Sequence, residues 1–283
     1  MRLQGRRGSS NIQDRRRSGG GVRTGGVALG GGGVGLLAIV VIGYFLGVDL
    51  TPLLGGGGGT GFQTGGGEVT AADEERAQFV SQVLASTEDA WAGIYQDQLG
   101  QAYAPPQLVL FTGATQSGCG GASAATGPFY CPTDKSVYLD TDFFVVMERQ
   151  LGAGGDFAAA YVVAHEVGHY VQDDLGILAE ANRGTRQGAN SDAVRVELQA
   201  DCFAGVWAFR EQEQFGSLDQ SDIAEAVNAA QQIGDDTLQR EQTGTVRPDS
   251  FTHGTSEQRQ RWFTAGYQTG DVQSCNTFEA RTL

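Results

Sequence analysis

Hydrophobic side chains recur every three or four residues over most of the chain after residue 70, and polar residues occupy the positions between them. This spacing matches the period of an α-helix that buries one face. It predicts helices over residues 72–95, 142–151, 157–174, 192–214, 220–235 and 256–267.

Two short segments follow a different pattern. Residues 107–111 (QLVLF) come directly after Pro105 and Pro106, and residues 136–140 (SVYLD) alternate in character. Apolar and aromatic residues between turn-forming segments are typical of β-strands. Many helices with a few early strands predict an α+β domain that is mostly helical and has a small sheet.

The first 68 residues differ from the rest in composition. Seven arginines occur by residue 23, and a stretch without charge then runs to Val48. The 22 residues at 27–48 are long enough to cross a bilayer as a helix, and arginines before them predict a cytoplasmic N-terminus. The sequence therefore predicts a basic cytoplasmic segment at 1–26, a single transmembrane signal anchor at 27–48 and a glycine-rich linker at 49–68.

Two other interpretations of this N-terminal region are weaker. A cleaved signal peptide would need a small-residue site after the apolar run, and no such site follows it. The arginines could instead bind nucleic acid or anionic lipid, but their position directly before the apolar run favours a role in topology.

Residues 69–283 remain as one domain, which this topology places outside the cytoplasm. The whole chain has a net charge of −14, although 7 of its 19 basic residues lie before residue 24. The domain is therefore strongly acidic, so we expect no nucleic-acid partner. The oligomeric state is left open.

The cysteines are even in number and all lie in this domain. An even count outside the cytoplasm predicts two disulfides, with three possible pairings. Cys119 and Cys131 close a short loop and are the natural local pair, which leaves Cys202 with Cys275. A zinc site made of four cysteines would need closer spacing.

The segment His165-Glu166-Val167-Gly168-His169 carries the strongest chemical signal. Residues four apart on a helix lie one above the other, so the two imidazoles can bind one ion. Glu166 lies beside them, where its carboxylate can hydrogen-bond a water molecule. This H-E-x-x-H pattern is typical of zinc peptidases, in which the glutamate is the general base. The alternative is two histidines packed in a helix interface.

Catalytic zinc usually has three protein ligands, so one more is needed. Glu197 is the best candidate, because it lies with Asp201 in an otherwise apolar stripe of the predicted helix 192–214. Acids in a buried stripe are normally paired or bound to metal. Asp201 is expected to accept a hydrogen bond from the outer ring nitrogen of His165 or His169. A solvated helix face is the alternative for both acids.

His253 is the remaining histidine and lies in a loop before the predicted helix 256–267. It is either a fourth ligand, a hydrogen-bond donor to the transition state, or a structural residue. A hydrolytic site needs an open coordination position, so the donor role fits better. Tyr170, next to His169, is another candidate donor.

Several segments of this sequence resemble the neutral zinc metallopeptidase family, the YpfJ-like proteins. They are Gly5-Arg6-Arg7, Asp14-Arg15-Arg16, GPFYCP (127–132), HEVGHYVQ (165–172), ELQADCFAG (197–205) and FTHGTSEQR (251–259). The resemblance implies that His165 and His169 bind zinc and that Glu166 is the catalytic acid/base. The E-x-x-x-D segment looks like the ligand helix of gluzincin peptidases, which implies that Glu197 is the third ligand and that Asp201 supports the site.

These observations predict a membrane-anchored peptidase with a zincin-like domain and one Zn²⁺ per chain. Zinc would activate a water molecule, Glu166 would move its proton to the leaving amine, and His253 would stabilise the oxyanion. A peptide or protein substrate would pair with a strand edge near 136–140. A non-catalytic scaffolding module with structural zinc, and a hydrolase of non-peptide bonds in the cell envelope, are the alternatives.

Overall fold

The computed structural model of the chain describes residues 1–17, 69–123 and 126–283. Within these ranges the helices are α1 (Ala71–Ile94), α2 (Phe143–Gln150), α3 (Asp156–Asp174), α4 (Ile177–Ala181), α5 (Asp192–Phe215), α6 (Gln220–Gln232), α7 (Asp235–Thr243) and α8 (Ser256–Thr269). The strands are β1 (Ile12–Asp14), β2 (Gln107–Phe111), β3 (Ala114–Ser117), β4 (Gly120–Ser123), β5 (Phe129–Cys131) and β6 (Ser136–Asp140). A π-helical turn (Tyr95–Leu99) extends α1, and 3₁₀ turns occur at Pro248–Ser250 and Val272–Cys275.

Among the described residues, the main sheet has four strands in the order β1-β2-β6-β5. β1, β2 and β6 run parallel, and β5 pairs with β6 in the antiparallel sense. The two strands predicted at 107–111 and 136–140 are confirmed as β2 and β6. However, β6 has a partner on each side, so the substrate edge predicted near 136–140 does not lie on β6 itself. Of the strands that the structure describes, β5 forms the edge on that side of the sheet.

The predicted helices match the observed ones within two residues at each end, with one exception. The helix predicted at 220–235 ends at Gln232, and the following helix α7 was not predicted. Gly234 marks the break: a Cβ there would lie 2.4 Å from the backbone nitrogen of Ser256. The chain therefore bends where it packs against the start of α8, a tertiary contact that helical periodicity does not reveal.

α3 lies in the centre of the domain, and its residues from Phe157 to Gly168 are all buried. It packs against α1, α5 and α6. Phe157 stacks on Trp207 of α5, with ring centroids 5.6 Å apart. At Gly168 a Cβ would come within 3.1 Å of the backbone oxygen of Ala200. A glycine in the middle of α3 therefore lets α5 approach the histidine-bearing turn closely.

The N-terminal residues are part of this domain. Hydrogen-bonded pairing places Ile12 opposite Leu108, and the backbone nitrogen of Leu108 donates to Asn11 at 2.8 Å. Arginines of the segment pair with acids of the helices: Arg6 with the buried Glu211, Arg7 with Glu88 and Asp89, and Arg16 with Asp14 and Glu74. Because residues 1–17 pack on the domain, these arginine side chains find their ion-pair partners within it.

The predicted fold class included one transmembrane helix before the domain, and this packing contradicts that part of it. The predicted anchor at 27–48 and linker at 49–68 lie outside the described residues, and within the described ranges no helix is long and apolar enough to cross a bilayer. One transmembrane helix between β1 and β2 would separate them by the thickness of a membrane, whereas they are neighbours in one sheet. The prediction of a single N-terminal transmembrane helix is therefore wrong.

Both predicted disulfides are present. Cys119 pairs with Cys131 beside the β3–β4 hairpin, and Cys202 of α5 pairs with Cys275 of the C-terminal 3₁₀ turn. The first closes a short loop, and the second holds the C-terminal residues against α5.

Candidate metal centre

Helix α3 brings the two motif histidines together. His165 and His169 lie one helical turn apart, and their ring centroids are 4.7 Å apart. His165 is buried, and the side chain of His169 is 13% exposed. The histidines therefore face the same space, and His169 lies on its more open side.

Helix α5 adds the third group. One carboxylate oxygen of Glu197 lies 3.2 Å from Nε2 of His165, and the other lies 3.5 Å from Nε2 of His169. One ligand atom from each of the three residues lies within 4.8 Å of the other two. Among residues 1–17, 69–123 and 126–283, this is the one cluster of histidine, cysteine or acidic side chains that meets this criterion. The structure thus brings together the three predicted ligands.

Asp201 lies behind His165, as expected from its position one turn after Glu197. Its Oδ1 is 2.8 Å from Nδ1 of His165. The Arg259 guanidinium donates two hydrogen bonds of 2.8 and 2.9 Å to the same carboxylate, and the Tyr161 hydroxyl also donates to it. A carboxylate in this position holds the proton on Nδ1, which leaves Nε2 free for a metal.

Sequence reasoning missed two of these supporting groups. Tyr161 lies one turn before His165 on α3, so helical spacing could have indicated it. Arg259 ends the family-like segment 251–259, but it lies far from Asp201 in the sequence, so no local spacing indicates this contact.

His169 has a different supporting partner. Its Nδ1 lies 2.8 Å from the side-chain oxygen of Gln172, three residues further along α3. The Gln172 amide nitrogen donates to the backbone oxygen of Val196 and to the side chain of Gln199, at 2.7 and 3.0 Å. The sequence had left Asp201 as the partner of either histidine. The structure places Asp201 on His165 and Gln172 on His169.

The charges around the centre shift several pKa values. Burial alone lowers the pKa of His165, but Asp201 and Glu197 outweigh it and raise this pKa to about 10. Burial raises the pKa of Asp201, but Arg259 and His165 together bring it down to about 2. The pKa of Glu197 is also well below its usual range, because contacts with His169 and His165 outweigh burial. Both carboxylates are therefore ionised at neutral pH and stabilise positive charge here.

Glu166 is buried beside the histidines. Burial raises the pKa of its carboxyl, and the backbone N–H of Tyr130 in β5 opposes this rise. A higher pKa makes a carboxylate a stronger proton acceptor. The glutamate of the motif therefore lies near β5, and burial makes its carboxylate a stronger proton acceptor.

His253 lies outside the group of three ligand atoms. Its Nδ1 is 3.2 Å from Oδ1 of Asp235, the first residue of α7, and 2.9 Å from the Thr252 hydroxyl. The other Asp235 oxygen accepts from the backbone nitrogens of Thr252, His253 and Gly254. Burial lowers the pKa of His253, but Asp235 and Glu197 reverse the effect and raise it. Asp235 was not predicted, because α7 itself was not.

Tyr170, the other candidate donor, is engaged elsewhere. Its hydroxyl donates to the backbone oxygen of Ala104, in the segment before β2. The tyrosine therefore ties α3 to the chain that enters the sheet.

The donor set fits a zinc ion. Two imidazole nitrogens and one carboxylate are a common ligand set of catalytic zinc, which leaves the remaining position for water or substrate. The outer nitrogens of both histidines are already hydrogen-bonded, so their Nε2 atoms are directed at the shared space, where a metal ion would take the place of a proton. Three protein ligands, rather than four, are gathered within the described ranges.

Comparisons with known proteins agree with this geometry. The family model described as "Putative neutral zinc metallopeptidase" matches residues 1–278. The chain is 48% identical over 286 residues to the uncharacterized protein YpfJ of Escherichia coli (strain K12), covering 98% of this chain and 99% of that protein. It is 47% identical over 224 residues to the uncharacterized protein Mb2605 of Mycobacterium bovis, covering 76% and 75%. No solved structure matches the chain. The chain therefore belongs to the neutral zinc metallopeptidase family.

Proposed function

We propose that this protein hydrolyses peptide bonds with one Zn²⁺ held by His165, His169 and Glu197. The convergence of these three side chains around one space, with Glu166 beside it, is the observation that carries the proposal. Zinc bound there would polarise the scissile carbonyl and lower the pKa of its bound water.

Glu166 accepts the proton of the attacking water in this proposal. It then passes that proton to the nitrogen of the scissile bond, so that the C–N bond breaks with a neutral amine leaving. Its buried position supports the role, because desolvation raises the pKa of the carboxyl above its usual value. A structural zinc site would have no use for such a carboxylate.

His253 donates a hydrogen bond to the substrate carbonyl oxygen as negative charge develops on it. Nδ1 faces Asp235, and no hydrogen bond to Nε2 occurs within the described ranges. The raised pKa of His253 favours the imidazolium form, in which Nε2 carries a proton. Asp235 thus orients the ring and favours its charge, which is the arrangement that an oxyanion donor requires.

The substrate binds in extended form along β5 rather than along β6. β5 is an edge strand in the described part of the chain, and Tyr130 within it lies next to Glu166. Strand addition to an edge uses main-chain hydrogen bonds and therefore accepts varied sequences.

We also propose that the domain works in an oxidising compartment outside the cytoplasm. Two disulfides support this location, because such bonds persist where thiols are not kept reduced. Residues 1–17 would lie in the same compartment, because they pack on the domain.

The test is proteolysis of an unfolded protein by the full chain and by Glu166→Gln. We expect kcat/KM to fall by about 10²- to 10⁴-fold in the variant, the usual contribution of a general base. Zinc content should stay the same, since Glu166 is not a ligand. Full proteolysis by Glu166→Gln would contradict the mechanism. Hydrolysis of ester or amide model compounds without cleavage of the protein would favour a hydrolase of non-peptide bonds.

A further inference from the structure

A continuous chain of hydrogen bonds leads from His169 to the C-terminal residues. His169 Nδ1 contacts Gln172 at 2.8 Å, and the Gln172 amide nitrogen contacts the Gln199 side-chain oxygen at 3.0 Å. The Gln199 amide nitrogen then donates to the backbone oxygen of Cys275 at 3.0 Å. Gln172, Gln199 and Cys275 are all buried, so water does not compete for these bonds.

The backbone carbonyl of Cys275 determines which group donates and which accepts in every hydrogen bond of this series. A backbone carbonyl can only accept, so Cys275 requires the nitrogen of the Gln199 amide and turns the Gln199 oxygen towards Gln172. Gln172 must then donate to that oxygen, and it also donates to the backbone oxygen of Val196. Its own oxygen is left for His169. His169 therefore carries its proton on Nδ1 and presents the lone pair of Nε2 towards Glu197.

A disulfide holds the far end in place. Cys275 is bonded to Cys202, which lies on α5 three residues after Gln199 and one after Asp201. Beyond it, the Thr277 hydroxyl donates to the backbone oxygen of Arg195 at 2.7 Å, and the Arg195 guanidinium donates back to Thr277 and Ala280. The C-terminal residues thus lie along α5, and the disulfide is their covalent attachment to it.

We propose that Gln199 and the Cys202–Cys275 disulfide are positioning elements that orient His169 for the metal. This inference rests on the proposed zinc site and adds to it a dependence on a residue and a disulfide that do not touch the ion. It predicts that zinc affinity depends on whether this particular disulfide is intact.

The test is zinc affinity of the full chain, measured by competition with a chromophoric chelator. Gln199→Leu removes the amide and keeps the disulfide, whereas Cys202→Ser/Cys275→Ser removes the attachment. Each has a matched control. Gln98→Leu removes another amide that binds the C-terminal residues, at Gly270 and Val272, without reaching His169. Cys119→Ser/Cys131→Ser removes the other disulfide.

We expect zinc affinity to fall about tenfold in Gln199→Leu, the lower end of the effect of outer hydrogen-bond partners on metal affinity. The Cys202→Ser/Cys275→Ser pair should show a similar loss, and both controls should bind zinc as the wild type does. Wild-type affinity in Gln199→Leu would overturn the inference even if the disulfide variant failed to fold. Equal losses in Gln199→Leu and Gln98→Leu would also overturn it, since the effect would then reflect general loosening of the C-terminal residues. A wild-type chain that binds no zinc would overturn the proposed function as well.

Discussion

The metal centre and the N-terminal segment both bring charged side chains together from distant parts of the chain, but they differ in how the charges are used. At the metal centre, Glu197 and the Nε2 atoms of His165 and His169 face one shared space. In the N-terminal segment, arginines pair with carboxylates of the same chain, as Arg6 pairs with Glu211. In the proposed function the first arrangement is completed by a cation from outside, whereas the second is complete within the chain. Changes in the two regions should therefore separate metal binding from stability.

Deletion of residues 1–17 should have the largest effect on stability. It removes β1 from the sheet and leaves Glu211, Glu88 and Glu74 without their arginines. We expect the loss of a large part of the ~5–15 kcal/mol that stabilises a typical domain, measured by urea unfolding. The fraction that remains folded should still bind zinc. Unchanged stability would show that the segment does not pack on the domain.

Arg6→Leu tests the contribution of one ion pair of the N-terminal segment, the pair between Arg6 and Glu211. Glu211 is fully buried and also accepts hydrogen bonds from Ser86 and Ser217, so removal of Arg6 leaves a buried charge without its partner. We expect the free energy of unfolding to fall by about 3–5 kcal/mol. Zinc affinity should not change, because Glu211 is more than three turns from Glu197 on α5. If zinc affinity fell by more than the smaller folded fraction explains, stability at the N-terminal segment and zinc binding would not be independent.

Gly168→Ala should affect both properties. The added methyl group would lie 3.1 Å from the backbone oxygen of Ala200, so α3 and α5 must move apart near the three ligands. Overpacking of this kind costs about 1–3 kcal/mol, which thermal unfolding can measure. Zinc affinity should fall as well, because Glu197 moves with α5. Gly93→Ala in α1 is the control, since it adds the same methyl group to a helix where a Cβ would meet no neighbouring atom within 4 Å. If Gly168→Ala bound zinc as tightly as the wild type, close approach of the helices would not be needed.

Arg2→Ala should have the smallest effect. Arg2 and Asp219 are 3.9 Å apart, and both side chains are more than half exposed. Exposed pairs contribute little because water screens them. We expect no measurable change in Tm or in zinc affinity. A clear drop in Tm would mean that the backbone contacts of the N-terminal segment depend on this side chain.

The same comparison explains how much of the molecule could be predicted from its sequence. The two histidines and Glu197 follow from short spacings within single helices, because helical geometry converts a spacing of four into a shared face. Asp201 follows in the same way. The strands β2 and β6 are recognisable from their composition, and the cysteine pairing from loop length.

The N-terminal segment could not be predicted in this way. Seven arginines before an apolar stretch resemble a topology signal, and nothing local shows that Ile12 pairs with Leu108, almost a hundred residues away. Asp235 and Arg259 could not be predicted for the same reason, since each meets its partner from a different part of the chain. Local periodicity thus predicts a site within a helix well, but it does not predict which distant charges meet.

The most direct test of the central claim is to measure the zinc stoichiometry and affinity of the full chain. The measurement compares the wild type with Glu197→Ala and Glu213→Ala. Glu213 lies on the same helix and is largely exposed, so it controls for the loss of one negative charge on α5. The proposed site predicts one zinc per chain in the wild type and in Glu213→Ala, with the ion lost or much weakened in Glu197→Ala. A wild-type chain without zinc after loading, or a Glu197→Ala variant that binds it equally well, would contradict the proposed metal centre.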